Sequence, residues 1–305
     1  MRLLLVVNTS ASSVTARARV VIQKALSADH DVTMAETSRR GHASRLAQGA
    51  AADGVDVVAV LGGDGTLNEA ANGLAGTSTA LAVLPGGSTN VFARTIGLPN
   101  DPIEATGSLL SALNRGAIRP VGLGNVNGRY FLFNVGIGFD AAVVQQVERR
   151  GDLKRYAGHP LFIWSAFSTW FRHYDRSRPR FSLQHEPGGE VVDDGYFSLV
   201  QNTNPYTFLG SIPLDTAPDA GLDQPLTALT FRSLDMMFML SVAVAALRGG
   251  GRLHRMRHLA YRTQLTGLIL TGYGAVPYQV DGDFLGESER LVFRHEPMCL
   301  RLVMP

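Results

Sequence analysis

Val55-Asp56-Val57-Val58-Ala59-Val60-Leu61-Gly62-Gly63-Asp64-Gly65-Thr66-Leu67-Asn68-Glu69 is the stretch on which the fold turns. The valine-rich run to Leu61 reads as a buried parallel strand, and its glycines open straight into a helix over Leu67–Leu74. Glycine at such a bend lets backbone N–H groups approach an anion closely, and the helix N-terminus adds a partial positive charge. The pattern is neither GxGxxG nor GxxxxGK[ST]. Asp64 is the odd member, because a carboxylate repels phosphate. It fits if Mg²⁺ stands between them or if it engages a hydroxyl proton. The alternative is a tight turn in which Asp64 caps the helix.

Working outward, strands are expected over Arg2–Asn8, His30–Thr37 and Ala80–Leu84, and helices over Thr15–Leu26, Ala43–Ala52 and Val91–Ile96. Strands alternating with helices predict an open, mostly parallel sheet covered on both faces. A second turn, Pro85-Gly86-Gly87-Ser88-Thr89-Asn90, follows the strand at Ala80 and opens the helix at Val91. Ser88, Thr89 and Asn90 are N-cap residue types. Two such turns after successive strands share one carboxyl edge, where open α/β sheets bind ligands. They read as a paired phosphate grip.

After Pro120 the pattern becomes β-rich: Tyr130–Val135, Val191–Asn202, Leu226–Phe231, Leu265–Leu270, Val276–Val280, Leu291–His295 and Leu300–Val303. An aromatic helix is expected over Leu153–Tyr174, with Phe162, Trp164, Phe167 and Trp170, and an apolar helix over Met236–Leu247. Turn signals between these runs predict a mainly antiparallel second domain with a few helices. The expected domains are residues 1–122 and 123–305, with the extreme C-terminus returning to the first.

Of the 305 residues, 45% are hydrophobic and 18% charged, which excludes a disordered chain. A formal charge of +2 is too small for wholesale nucleic-acid binding. The lone Cys299 excludes an intramolecular disulfide and fits a reducing compartment. Neither Leu161–Phe171 nor Met236–Leu247 is long enough to span a bilayer, so no transmembrane segment is expected. The arginines of Arg149–Arg180 and Arg248–Arg257 either lean on anionic headgroups or form a solvated face. The expectation is a cytoplasmic protein, with room for peripheral attachment at the inner membrane surface and for a homodimer.

Gly62–Glu69 and Pro85–Asn90, with Asn8-Thr9-Ser10 at the first strand end, resemble the diacylglycerol kinase catalytic-domain family, which includes bacterial lipid kinases and sphingosine kinases. Gly136-Ile137-Gly138-Phe139-Asp140-Ala141, Ala217-Pro218-Asp219-Ala220 and Val280-Asp281-Gly282-Asp283 extend the resemblance over nearly the whole chain. The first block is shared with NAD kinases, so an NAD kinase-like fold is implied for the nucleotide-binding first domain, and a lipid-binding role for the second. The implied activity is ATP- and Mg²⁺-dependent phosphorylation of a lipid hydroxyl.

By the same resemblance, phosphates would lie on Gly62, Gly63, Asp64, Gly65, Thr66, Leu67 and Asn68, and on the turn of Gly87, Ser88 and Asn90, with Asn8, Thr9, Ser10 and Thr37 nearby. The implied proton acceptor is Asp283, where relatives more often carry glutamate, or Asp64 as in the sphingosine-type relatives. Without the family, Asp281 and Asp283 read as a solvated Asp-Gly hairpin turn. Relatives carry a DDG triplet where this chain has Asp223-Gln224-Pro225, placing the metal-linked acid on Gln224. A structural Mg²⁺ site would then draw on Asp223, Gln224 and carbonyls near Gly221 and Leu226, or be lost. Two alternatives stay open: a kinase of a soluble alcohol such as NAD, and a non-catalytic nucleotide- or lipid-binding protein.

Overall fold

The computed structural model describes residues 1–148, 177–186 and 188–305. The aromatic helix expected over Leu153–Tyr174 and the arginines from Arg149 to Arg176 lie outside them. The chain divides into two compact units, Met1–Leu123 with Pro297–Pro305, and Gly124–Glu296.

The first unit alternates β1 (Arg2–Val7), α1 (Ala16–Ser27), β2 (Asp31–Glu36), α2 (His42–Ala52), β3 (Val57–Gly62), α3 (Asp64–Leu74), β4 (Ala80–Pro85), α4 (Val91–Thr95) and α5 (Pro102–Asn114). Its strands pair in parallel in the order β2-β1-β3-β4. The C-terminal residues Arg301 and Leu302 add a further parallel pairing, to Ala80 and Leu81. The chain steps from β1 outward to β2, then crosses back over β1 to reach β3. Right-handed crossovers in opposite directions put α1 on one face and α2 and α3 on the other. Accordingly α1 packs on α5, and α2 on α3. Coverage on both faces is why every residue of β3 and β4 is buried.

The second unit contains β5 (Ile118–Val126, its start in the first unit), β6 (Arg129–Phe131), β7 (Asn134–Gly138), α6 (Phe139–Glu148), β8 (Phe181–Glu186), β9 (Val191–Gly195) and β10 (Phe197–Gln201). There follow β11 (Thr207–Leu209), β12 (Ile212–Leu214), β13 (Leu226–Phe231), α7 (Met236–Leu247), β14 (Leu259–Leu265), β15 (Gly267–Val280) and β16 (Asp283–Val303, its end in the first unit). Antiparallel pairing links β14-β13-β10-β7-β15, with β8 and β16 also on β15. One core gathers Phe131, Phe181, Leu268 and Phe293. Another stacks Phe197 on Phe231 at 4.0 Å under Val242 and Ala245 of α7. The expected fold class, a parallel α/β part and a mainly antiparallel part with few helices, is what forms.

Several boundaries differ from the sequence reading. Leu265–Leu270 and Val276–Val280 belong largely to one strand, β15, because the glycines at Gly272 and Gly274 make a bulge rather than a turn. Leu291–His295 and Leu300–Val303 likewise merge in β16. Val191–Asn202 is instead split at Tyr196 into β9 and β10. Helix α5 was not anticipated, although Asp101 caps it and Pro102 opens it, a recognisable start signal.

The β3 and β4 ends touch backbone to backbone. A Cβ on Gly86 would lie 2.9 Å from both Cα and N of Gly62. Gly86→Ala is therefore expected to cost about 1–3 kcal/mol through overpacking, seen as a lower urea midpoint. Gly49→Ala, in an exposed helical position with nothing within 4 Å, should move the midpoint the other way by about 1 kcal/mol.

Candidate active site

The strand order reverses at β1, so the crevice beyond the carboxyl ends of β1 and β3 is the topological switch point. Asn8 stands at one side of it and Gly62–Thr66 at the other. The Asn8 side-chain amide donates to Thr66 Oγ1 at 2.8 Å, and its oxygen accepts from the Ser10 N–H at 3.0 Å. The N-cap residue of α3 is Gly63, which has no side chain to cap the helix. First-turn N–H groups have no intrahelical acceptor. Those of Gly65 and Thr66 therefore face the switch point as an anion-attracting end with a favourable dipole. Thr9 and Ser10 are exposed beside it, and Thr37 is half-buried at the end of β2.

The second glycine turn is packed against the first. Gly86 N–H donates to Gly62 O at 2.8 Å, and a Cβ on Gly87 would come 2.9 Å from the Cα of Gly63. Asp64 fastens the pair: its two carboxylate oxygens accept from the N–H groups of Val91 and Phe92 at 3.0 and 3.1 Å. It is thus a cap, but for α4 rather than for its own helix. Glu69 acts similarly on α2, accepting from Gly41 and Ala43 N–H at 2.7 and 3.2 Å.

These contacts revise the paired phosphate grip. The first two N–H donors of α4, Val91 and Phe92, are already taken by Asp64. Asn90 is not a side-chain cap: its left-handed φ of 48° turns the amide back onto Gly87, accepting from its N–H at 2.7 Å. Gly87 N–H is thereby used as well. Leu67 and Asn68 are buried along α3, leaving Ser88 as the exposed polar group of the second turn.

In the second unit, Asp281 and Gly282 form a two-residue hairpin turn between β15 and β16, with φ of 48° and 84°. That is the type I′ geometry expected of Asp-Gly. The turn is not solvated. Asp281 is buried, and its carboxylate accepts from the N–H groups of Leu132, Phe133 and Asn134 at 2.7, 3.0 and 3.0 Å. Gln279, also buried, donates to Asn134 Oδ1 at 2.9 Å and Asp140 Oδ2 at 2.8 Å, and accepts from Gly282 N–H at 2.7 Å. Tyr206 donates its hydroxyl to the other Asp140 oxygen at 2.5 Å. Burial pushes the Asp140 carboxyl up, against those two hydrogen bonds, and pushes the Tyr206 hydroxyl well up. Gln279, Asn134 and Tyr206 were invisible to motif reading, since isolated polar residues in strands carry no spacing signal.

Asp283 follows the turn as the first residue of β16. Its side chain keeps 25% of its surface exposed and pairs with Arg129 at 3.6 Å. A carboxylate held there by a rigid hairpin can accept a proton from a bound hydroxyl.

The donor set for a structural Mg²⁺ does not fit. Gln224 Oε1 accepts from the Gln264 amide at 2.8 Å, and Gly221 O accepts from Gln224 N–H at 2.8 Å. Leu226 is committed to β13, and Asp219 accepts from the Tyr261 hydroxyl at 2.6 Å. No group of three or more His, Cys, Asp or Glu suited to a metal ion occurs among the described residues. Asp223 alone is a poor anchor for an ion that wants several oxygens in octahedral array.

The model of the diacylglycerol kinase catalytic domain matches residues 2–126. The Pseudomonas aeruginosa PAO1 protein named "Probable lipid kinase YegS-like" is 31% identical over 293 residues, 95% of this chain and 89% of that protein. The chain belongs to the diacylglycerol kinase family. The Bacillus subtilis 168 protein named "Diacylglycerol kinase" is 38% identical over 115 residues, 37% of each chain. The crystal structure of a diacylglycerol kinase from Bacillus anthracis strain Sterne shares the fold, with a TM-score of 0.73 at 21% identity, covering 100% of this chain and 97% of that one. Within this family fold, the motif acids Asp64, Asp140 and Asp281 turn inward onto structural donors, whereas Asp283 retains an exposed edge.

Burial raises the Asp64 carboxyl above its ordinary value of 3.8, more than the Phe92 and Val91 N–H groups lower it. A carboxyl raised on folding binds protons more tightly in the native state, so its contribution to stability falls as pH rises through that window. As pH rises above about 4, unfolding free energy should therefore shift in favour of Asp64→Asn relative to wild type. Asp64→Ala, which strands both Val91 and Phe92 donors, should lose about 2 kcal/mol at pH 7. Urea titrations across this range provide the check.

Proposed function

We propose that this family member transfers the γ-phosphoryl group of ATP to a hydroxyl of a diacylglycerol-like or sphingoid lipid. The observation that carries the reading is the uncapped α3 N-terminus at the switch point, in a chain whose relative over 95% of its length is named a lipid kinase. ATP accompanied by Mg²⁺ would supply the phosphoryl group and the counter-charge on its oxygens. The chain's own residues supply alignment, which is most of what phosphoryl transfer demands.

In this reading the N–H groups of Gly65 and Thr66 donate to phosphate oxygens, with the α3 dipole behind them. Asn8 holds the Thr66 hydroxyl so that it does not swing into the anion's place, and Ser88 offers a further hydroxyl from the second turn. Asp64 is a positioning residue that keeps the two turns in register. Asp283 accepts the proton of the lipid hydroxyl as the new P–O bond forms. The poor fit at Gln224 keeps a structural metal out of this scheme.

The test is purified protein with labelled ATP, Mg²⁺ and a panel of detergent-dispersed diacylglycerol, ceramide, sphingosine and phosphatidylinositol, with NAD alongside. Label is expected in the organic phase, with Asp283→Asn slower by about 10²–10⁴-fold and Asp283→Glu largely active. Label in NAD would overturn the acceptor class, and label nowhere would overturn the kinase reading.

A further inference from the structure

Helix α7, Met236-Met237-Phe238-Met239-Leu240-Ser241-Val242-Ala243-Val244-Ala245-Ala246-Leu247, contains no charged residue. Its inner face is accounted for: Val242, Ala245 and Ala246 are buried, and the Phe238 ring meets Phe231 edge-on at 6.1 Å. A helix buried on one side normally carries polar residues on the other. Here Met237 is 73% exposed, Leu240 50% and Val244 46%. Spacings of three and four place them on one stripe, which Leu247 continues. Ile212, 53% exposed, extends the patch on β12, which packs against α7. No helix among the described residues is long and apolar enough to cross a membrane. At about 18 Å, α7 is well short of the roughly 30 Å hydrocarbon layer.

Chemistry beside the stripe says what covers it. Arg248, Arg252, Arg255 and Arg257 follow directly on the C-terminus of α7, and all are exposed. Elsewhere in this unit, surface arginines pair with acids: Arg232 with Asp194 and Arg262 with Glu190. No described carboxylate pairs with the four behind α7. The acid at the other end of the helix, Asp235, is occupied in capping it, accepting from Met237 and Phe238 N–H at 3.0 Å each. Among the described residues, the Arg255 side chain meets only the neighbouring His254 ring, at 3.1 Å. An apolar stripe bordered by guanidinium groups that have no carboxylate partner is the composition of a helix that lies in a membrane interface. Guanidinium forks suit lipid phosphates, and their stems reach past the apolar layer.

We infer that α7, with Arg248, Arg252, Arg255 and Arg257, is an in-plane docking element for an anionic bilayer surface. This rests on the lipid-kinase reading only in giving the docking a purpose: a substrate embedded in a bilayer must be met there.

Full-length protein is sedimented with phosphatidylcholine vesicles, with and without one-third phosphatidylglycerol. Binding is expected to the anionic vesicles, weakening steeply with salt. Met237→Gln with Leu240→Gln should weaken it at least about tenfold, and Arg252→Ala with Arg255→Ala about 25-fold. Both pairs are exposed, so thermal unfolding and transfer to detergent-dispersed lipid should match wild type. Undiminished vesicle binding by the variants would overturn the proposal, as would a dimer in sedimentation velocity that the Met237 and Leu240 changes dissolve. Vesicle binding that persists in Asp283→Asn, or in a protein that phosphorylates no lipid, still supports docking, so the two readings fail separately.

Discussion

Close approach between two backbones governs the first unit. Gly86 and Gly87 at the end of β4 lie against Gly62 and Gly63 at the end of β3, at distances that leave neither Gly86 nor Gly87 room for a Cβ. Only with the turns this close can Asp64 reach across and cap α4 with both carboxylate oxygens. Glu69, one and a half turns along the same helix, holds the start of α2 in the same manner. One octapeptide thus ties three helices to one sheet edge. Its own helix start is the end left without a cap, and that is the place where an anion gains most.

The second unit solves a similar problem with side chains. A two-residue turn is short and tight, but by itself it does not determine where the next carboxylate stands. Asp281 clamps three successive N–H groups of the β6–β7 connection, and Gln279 joins Asn134, Asp140 and Gly282. Buried networks of this sort are costly when half satisfied and rigid when complete. Their product is a fixed origin for β16, and therefore for Asp283. The acid nearest in sequence, Asp281, is consumed in building the support, so the two aspartates of one motif have unrelated duties.

Electrostatics divides the surface of the second unit. Around β9, β13 and β14, arginines and acids neutralise each other in exposed pairs, each worth little. Behind α7 the positive charge is left uncompensated next to exposed methionine and leucine. Gln224 marks the contrary case, an expected charge that is absent: its amide pairs with Gln264 across neighbouring strand ends, and a metal ion has one less reason to settle there.

The alternation of apolar runs and glycine-rich bends was enough to establish the parallel first half and the antiparallel second, because burial on one or two faces imposes its own period on a strand. The Asp-Gly turn before β16 was legible for the same local reason: positive φ at consecutive positions favours those residues. The direction in which Asp64, Asn90 and Asp281 point was not legible. Each could serve a ligand or a backbone from its place in the chain; Asn90 turns back on Gly87 within its own turn, whereas Asp64 and Asp281 answer to partners 27 to 149 positions away that only tertiary packing brings within hydrogen-bond distance.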